Sequence, residues 1–161
     1  MDMNLVERST RMEEGIEIAR KLWTGDAVSH EGRYYQFENL TIEPKPVQNP
    51  CPIWIANNPE LMGVKDKLLD RIARRVAVLA DGWQTTFVTP GQFSVAWQRI
   101  ERQAREIERD VSAMPRCLYY NCHVNEDRDT ALRESKEYLD AYYTTDFTRE
   151  QLELWVAMGS P

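Results

Sequence analysis

Apolar residues recur along this chain with two periods in turn, and that alternation predicts its architecture. Met12, Ile16, Ala19, Leu22 and Trp23 fall on one side at helical spacing, with charges on the other, so the first segment is a helix. It opens either at a capping box, Thr10-Arg11-Met12-Glu13, or earlier, near Asn4, and it stops at Gly25. From Val28 to Ile42 the texture changes, and Ser29 to Phe37 reads as a small hairpin turning at Glu31-Gly32. Residues 43–52 hold four prolines in ten positions, which predicts an extended, stiff connector because proline fixes φ and removes a donor.

Three strand–helix units follow. Ile53-Trp54-Ile55-Ala56, bounded by Pro52 and Asn57-Asn58-Pro59, reads as a buried strand, and a helix is predicted from about Val64 to Leu79. Its inward stripe is Leu68, Ile72, Arg75/Val76 and Leu79. Asp81-Gly82 ends it, and Trp83 to Phe87 forms the second strand. Pro90 suits the first turn of another helix, running to about Arg109 with Phe93, Trp97, Ile100 and Ala104 inward. Arg116 to Val124 is the third strand. A helix from Glu126 or Asp127 to about Tyr143 follows, and Thr148 caps a final short helix that ends before Gly159. Strands alternating with helices imply right-handed crossovers and a parallel sheet. If every crossover has the same hand, as in a barrel, the helices cover one face only and the other face needs a partner. The expected fold class is therefore α/β: about three parallel strands with crossover helices, plus a small β-hairpin insertion.

Composition narrows what such a chain does. With 161 residues, one domain with one core is the expectation. Acidic residues outnumber basic ones 26 to 20, for a formal charge of -6, which is poorly suited to following a phosphate backbone, so nucleic acid is not an expected partner. The longest strictly apolar run, Val76 to Ala80, is far too short to span a bilayer. The polar N-terminus lacks the apolar core of a secretory signal. Three cysteines cannot all pair within one chain, so a reducing cytoplasm is expected. The seven glycines form neither a Walker loop nor a GxGxxG turn, and no HExxH, GxSxG or CxxC occurs. No metal site is expected.

Four pieces in order then carry a resemblance. They are Arg11-Met12-Glu13-Glu14-Gly15-Ile16-Glu17-Ile18 leading to Leu22-Trp23-Thr24-Gly25; Val28-Ser29-His30-Glu31-Gly32-Arg33-Tyr34-Tyr35; Pro44-Lys45-Pro46-Val47-Gln48 with Pro52-Ile53-Trp54-Ile55; and Ala73-Arg74-Arg75-Val76-Ala77 through Ala80-Asp81-Gly82-Trp83. Together they resemble the luciferase-like flavin-dependent monooxygenases, including their deazaflavin-dependent relatives. The resemblance implies a (β/α)8 barrel, which typically needs about 250 residues. This chain matches its middle-to-late portion, a half TIM barrel, with residues 1–161 as one partial domain and residues 26–52 as a hairpin insertion and connector within it. It also implies FMN or a deazaflavin coenzyme, and oxidation of a small organic substrate.

Barrel enzymes place chemistry at the C-terminal ends of strands, which singles out particular residues. Asn57 and Asn58 either donate toward a cofactor phosphate or simply make a turn with Pro59. Trp83 either walls an isoalloxazine ring or packs as core, with Gln84 and Thr85 beside it as hydrogen-bonding groups. Alternation sets Cys117, Tyr119, Asn121 and His123 on one face of the third strand. If that face lines the lumen, Asn121 and His123 approach the substrate; otherwise His123 is structural. His30, on the hairpin, is expected to face solvent or an interface. Arg99, Arg102, Arg105 and Arg109 read as a solvated face with local pairs to Glu101, Glu106 and Glu108, and Tyr138, Leu139, Tyr142 and Tyr143 as a packing stripe. Cys51 reads as inert, and Cys117 and Cys122 point apart. The functions in competition are an oxidoreductase half, a non-catalytic flavin-binding or self-associating paralogue, and a fragment that folds only by association. The uncovered sheet face predicts a homo-oligomer, a dimer, or union with a missing N-terminal barrel half.

Overall fold

A computed structural model describes residues 7–58 and 65–160. Contacts divide the chain into two compact units. The first holds α1 (Arg8–Thr24), β1 (Val28–Glu31), β2 (Gln36–Leu40), the connector to Ile53, and residues 79–81.

Helix α1 starts after Glu7 without a side-chain cap, so the capping box expected at Thr10 is not used. The Thr10 hydroxyl instead donates to the Glu7 carbonyl and meets the Tyr34 hydroxyl at 2.6 Å. Strands β1 and β2 pair antiparallel, and residues 32–35 join them, so the turn lies slightly later than Glu31-Gly32 predicts. The Glu14 carboxylate draws this loop onto α1. It accepts from the backbone N–H of Tyr34 and of Tyr35 and lies 3.2 Å from His30 Nε2. His30 is therefore buried, not solvent-facing. A Cβ at Gly32 would overlap both the Glu14 carboxylate and the His30 ring, so this close approach requires glycine. The proline-rich connector is a run of bends, not an extended rod. Lys45 ties it back, with its amine donating to the Leu22 and Gly25 carbonyls that end α1.

The second unit holds β3 (Trp54–Ala56), α2 (Asp66–Leu79, up to Val78), β4 (Gly82–Thr86), α3 (Pro90–Arg105), β5 (Arg116–Tyr119), β6 (Asn121–Val124), α4 (Arg128–Tyr143), α5 (Arg149–Trp155) and β7 (Val156–Gly159). Strands β3, β4 and β5 lie in that order, all parallel, and β6 pairs parallel with β7. Successive strands stand side by side, the order that crossovers of one hand produce.

Helices α3 and α5 open as the sequence predicts, with Thr89 and Thr148 each completing a capping box. Three expectations are corrected. The third strand is interrupted at Tyr120: its first half pairs with β4 and its second with β7. The segment after α5 is a strand, missed because four residues run straight from the helix with no breaker between. Helix α3 stops at Arg105 rather than Arg109, where residues 106–108 form a turn that takes Glu108 to a φ of 55°. The predicted start of α2 at Val64, and Pro59, lie outside the described residues.

The core of this unit forms where the helices meet the strands. Val76, Ala77, Trp83, Ala104 and Ile100 are buried there. Trp83, wholly enclosed, stacks on Phe93 and lies 6.1 Å from Trp97. A second cluster joins Leu139, Phe147, Leu152, Trp155 and Val156.

Arg99 and Arg102 of α3 pair with another helix and not with the glutamates expected beside them. Arg99 reaches α2, with Nη1 2.7 Å from Asp70 and Nη2 3.0 Å from Asp66, and Arg102 also binds Asp70. The Arg99 hydrogen bond outweighs burial and holds the Asp70 carboxyl below the ordinary aspartate range. The tyrosine stripe of α4 packs only in part. Tyr138 and Tyr142 are 64% and 67% exposed, whereas Leu139 is buried and Tyr143 packs its ring against Trp155 and Phe147.

Candidate functional site

The C-terminal ends of β3 and β4 bring four of the sequence-selected residues together. The Asn57 backbone N–H donates to the Gln84 carbonyl and so extends the parallel ladder by one residue. Trp83 Nε1 donates to Asn57 Oδ1 at 3.3 Å, and the Thr85 hydroxyl lies 3.5 Å from Asn58 Oδ1. Trp83 and Thr85 are both buried on the helix side of the sheet. Trp83 thus packs as core and presents no face to a ring. With both oxygens engaged, Asn57 and Asn58 have their Nδ2 amides to offer an anion.

Gln84 lies on the opposite face. Side chains alternate along a strand, and partners in a parallel register share a side. The register therefore sets Ala56, Gln84 and Cys117 in one row, with Thr86 and Tyr119 in the next row toward the C-terminal ends. Trp54 and Gly82 form the row below. A Cβ at Gly82 would run into the Trp54 indole, so glycine here lets the tryptophan lie flat across the neighbouring strand. This face is open: Trp54 is 45% and Tyr119 40% exposed. It carries amide, hydroxyl, thiol and aromatic groups and no charge. Thr86, Cys117 and Tyr119 were not chosen as site residues from the sequence. Stepping two residues from Gln84 and reading across the register finds them.

Asn121 and His123 are placed elsewhere. The break at Tyr120 interrupts the alternation, as a bulge does; Tyr119 and Asn121 still meet, the Tyr119 hydroxyl donating to Asn121 Oδ1 at 3.4 Å, while His123 leaves the row of Cys117. His123 turns toward α4, where its Nε2 lies 3.0 Å from the Glu134 carboxylate. There Asn121 and His123 line a pocket of about 310 Å3 with Ser135, Tyr138 and Leu139. Cys122 also lines this pocket, while Val124 and Ala157, opposite His123 and Val156 by alternation, are exposed. A smaller cavity of about 20 Å3, room for one water, lies between α2, α3 and Asn57. Among the described residues, no group of three or more His, Cys, Asp or Glu gathers as a metal set. No described helix is long and apolar enough to cross a membrane.

Parallel strands in sequential order, helices on one face and uncharged polar and aromatic groups on the other are the parts of a (β/α) barrel, whose chemistry sits at the C-terminal strand ends. The match to known proteins agrees. The luciferase-like monooxygenase family model fits residues 2–159, and the chain belongs to that family. It is 36% identical over 80 residues to an F420-dependent glucose-6-phosphate dehydrogenase of Nakamurella multipartita, covering 50% of this chain and 20% of that protein. It is 44% identical over 46 residues to an FMNH2-dependent dimethylsulfone monooxygenase of Pseudomonas putida, covering 29% of this chain and 13% of that one. A solved F420-dependent secondary alcohol dehydrogenase, in complex with an F420-acetone adduct, superposes on 99% of this chain with a TM-score of 0.72 at 17% identity. Only 51% of that chain is covered, so the fold is part of a TIM barrel.

Proposed function

We propose that this chain forms the cofactor-facing half of an oxidoreductase that uses a reduced flavin or deazaflavin on a small organic substrate. The observation that carries this is the open face at the C-terminal ends of β3, β4 and β5, in a chain matched by the family over residues 2–159.

The groups present suit the ring end of such a coenzyme. Tyr119 and Trp54 offer aromatic surface, and the Gln84 amide both donates and accepts, as the polar edge of a tricyclic ring requires. The phosphate end is served by the amides of Asn57 and Asn58. Lysine and arginine are absent from positions 57, 58 and 86–89, so countercharge comes from outside this face. When bound, the coenzyme supplies hydride or the electrons that activate oxygen, while the protein holds the ring and excludes water. His123, turned toward α4, takes no part in this assignment, and Asn121 enters it only as the acceptor of the Tyr119 hydroxyl.

Titrating FMN and a deazaflavin into the protein and following their fluorescence tests the proposal. One of the two should bind saturably. Gln84→Leu should weaken that binding about five- to tenfold, the worth of one hydrogen bond. Failure of both coenzymes to bind the folded protein would reject it.

A further inference from the structure

We propose that two copies of this chain close one barrel between them, completing the coenzyme pocket across the pair. The pocket part of this inference rests on the function proposed above; the pairing itself does not.

Counted around a barrel, the parallel strands occupy four positions: β3, β4, the interrupted strand β5 and β6, and β7. A closed barrel of this class has eight. Four is also the share implied by the solved dehydrogenase, half of which accounts for nearly the whole chain.

The two ends of the row are complementary. β3 pairs only with β4, and β7 only with β6, so each leaves one edge unpaired among the described strands. A two-fold axis along the strand direction sets β7 of one copy beside β3 of its partner. It does so twice and keeps every strand parallel. Closure of this kind removes both edges.

The face that would be enclosed favours the same occupant. A parallel sheet is normally covered on both sides, yet Trp54, Ala56, Val124 and Ala157 are all exposed, and alternation sets them opposite the buried Ile55, Trp83 and Val156. None of these is charged. Although each chain carries a formal charge of -6, two such faces meet without bringing like charges together.

Light scattering on the purified chain at micromolar concentration, with circular dichroism alongside, tests the pairing. The expected species is a dimer of twice the 18.9 kDa chain mass. Ala56→Asp, which sets a charge in the middle of the face, should yield a monomer with unchanged helix content. If that variant unfolds, Ala157→Asp tests the same face from β7. A wild-type monomer, an open-ended polymer, or a dimer indifferent to either charge would overturn the proposal. Coenzyme fluorescence then separates its two parts. A dimer that binds neither FMN nor deazaflavin upholds the pairing and rejects the functional assignment. Coenzyme bound equally well by a folded monomeric variant overturns completion of the pocket by the partner.

Discussion

The Glu14 carboxylate holds the hairpin loop on α1 through two backbone N–H groups and His30. Burial pushes its pKa upward, but the hydrogen bonds from Tyr35, His30 and Tyr34 together outweigh it, and the carboxyl ionises below the ordinary glutamate range. The sign of the linkage follows. A carboxyl whose pKa is depressed on folding stabilises the folded state above its unfolded pKa, and that stabilisation is lost as pH falls through the folded value. Urea midpoints should therefore decline as pH drops below about 4.5. Glu14→Gln, which cannot ionise, should flatten that part of the profile while lowering stability at neutral pH. An unchanged pH profile in the variant would show that Glu14 is not the titrating group. At this scale the sequence was partly readable. Glu14 lies in the segment that carries the family resemblance, but its partners are 16 to 21 positions away, and no periodicity predicts that meeting. The burial of His30 depends on the same distant contact with Glu14.

Among the elements, those with punctuation were legible. Thr89-Pro90 and Thr148 mark helix starts, and both helices open there. Pro52 and Asn57 bound β3, while Asp81-Gly82 separates α2 from β4. What lacked punctuation was misread. No glycine or proline marks the interruption at Tyr120, so the turn of His123 toward Glu134 on α4 has no signal in the sequence. Tyr138 and Tyr142 have the spacing of a buried stripe, but spacing alone does not say which stripe meets the core, and here Ala131, Ser135 and Leu139 do. The end of α4 also departs from the usual chemistry. Its C-cap, Thr144, sits at φ 51° and ψ 43°, in the left-handed region, where a β-branched residue is strained. Glycine is the usual occupant of such a cap. Thr144→Gly should stabilise the protein by roughly 0.5–1 kcal/mol in urea denaturation, after allowing for the greater freedom of glycine in the unfolded chain. A loss of stability would instead show that the bond from the Thr144 hydroxyl to the Tyr143 carbonyl outweighs the strain.

Across the whole molecule, the fold class was legible because three strand–helix alternations need no long-range information, and a pocket was not, because half of its wall is absent from this polypeptide's described strands. The same asymmetry governs where the chain is firm. In the second unit, Val76, Ala77, Trp83 and Leu152 have no more than trace exposure. In the first, Leu22, His30 and Ala80 are the buried residues among those described, and Met12 on the apolar side of α1 is 40% exposed. Local opening free energy rises with buried apolar contact and falls where backbone hydrogen bonds meet solvent. Strands β1 and β2 are held by their own ladder and by Glu14, and almost every residue of β2 is exposed. Strand β4 lies between two parallel neighbours, with Gly82, Trp83 and Thr85 buried. Hydrogen exchange followed by mass spectrometry at neutral pH should therefore show amides of 28–31 and 36–40 exchanging at least about tenfold faster than those of 82–86, a local opening rather than a global one. Pairing of two copies through the open face would slow exchange in β3 and β7, whose outer edges gain partners, and leave the hairpin unchanged. Equal rates in hairpin and β4 would mean that the chain opens as one cooperative body, and the firm unit would then have to extend over α1 and its hairpin as well.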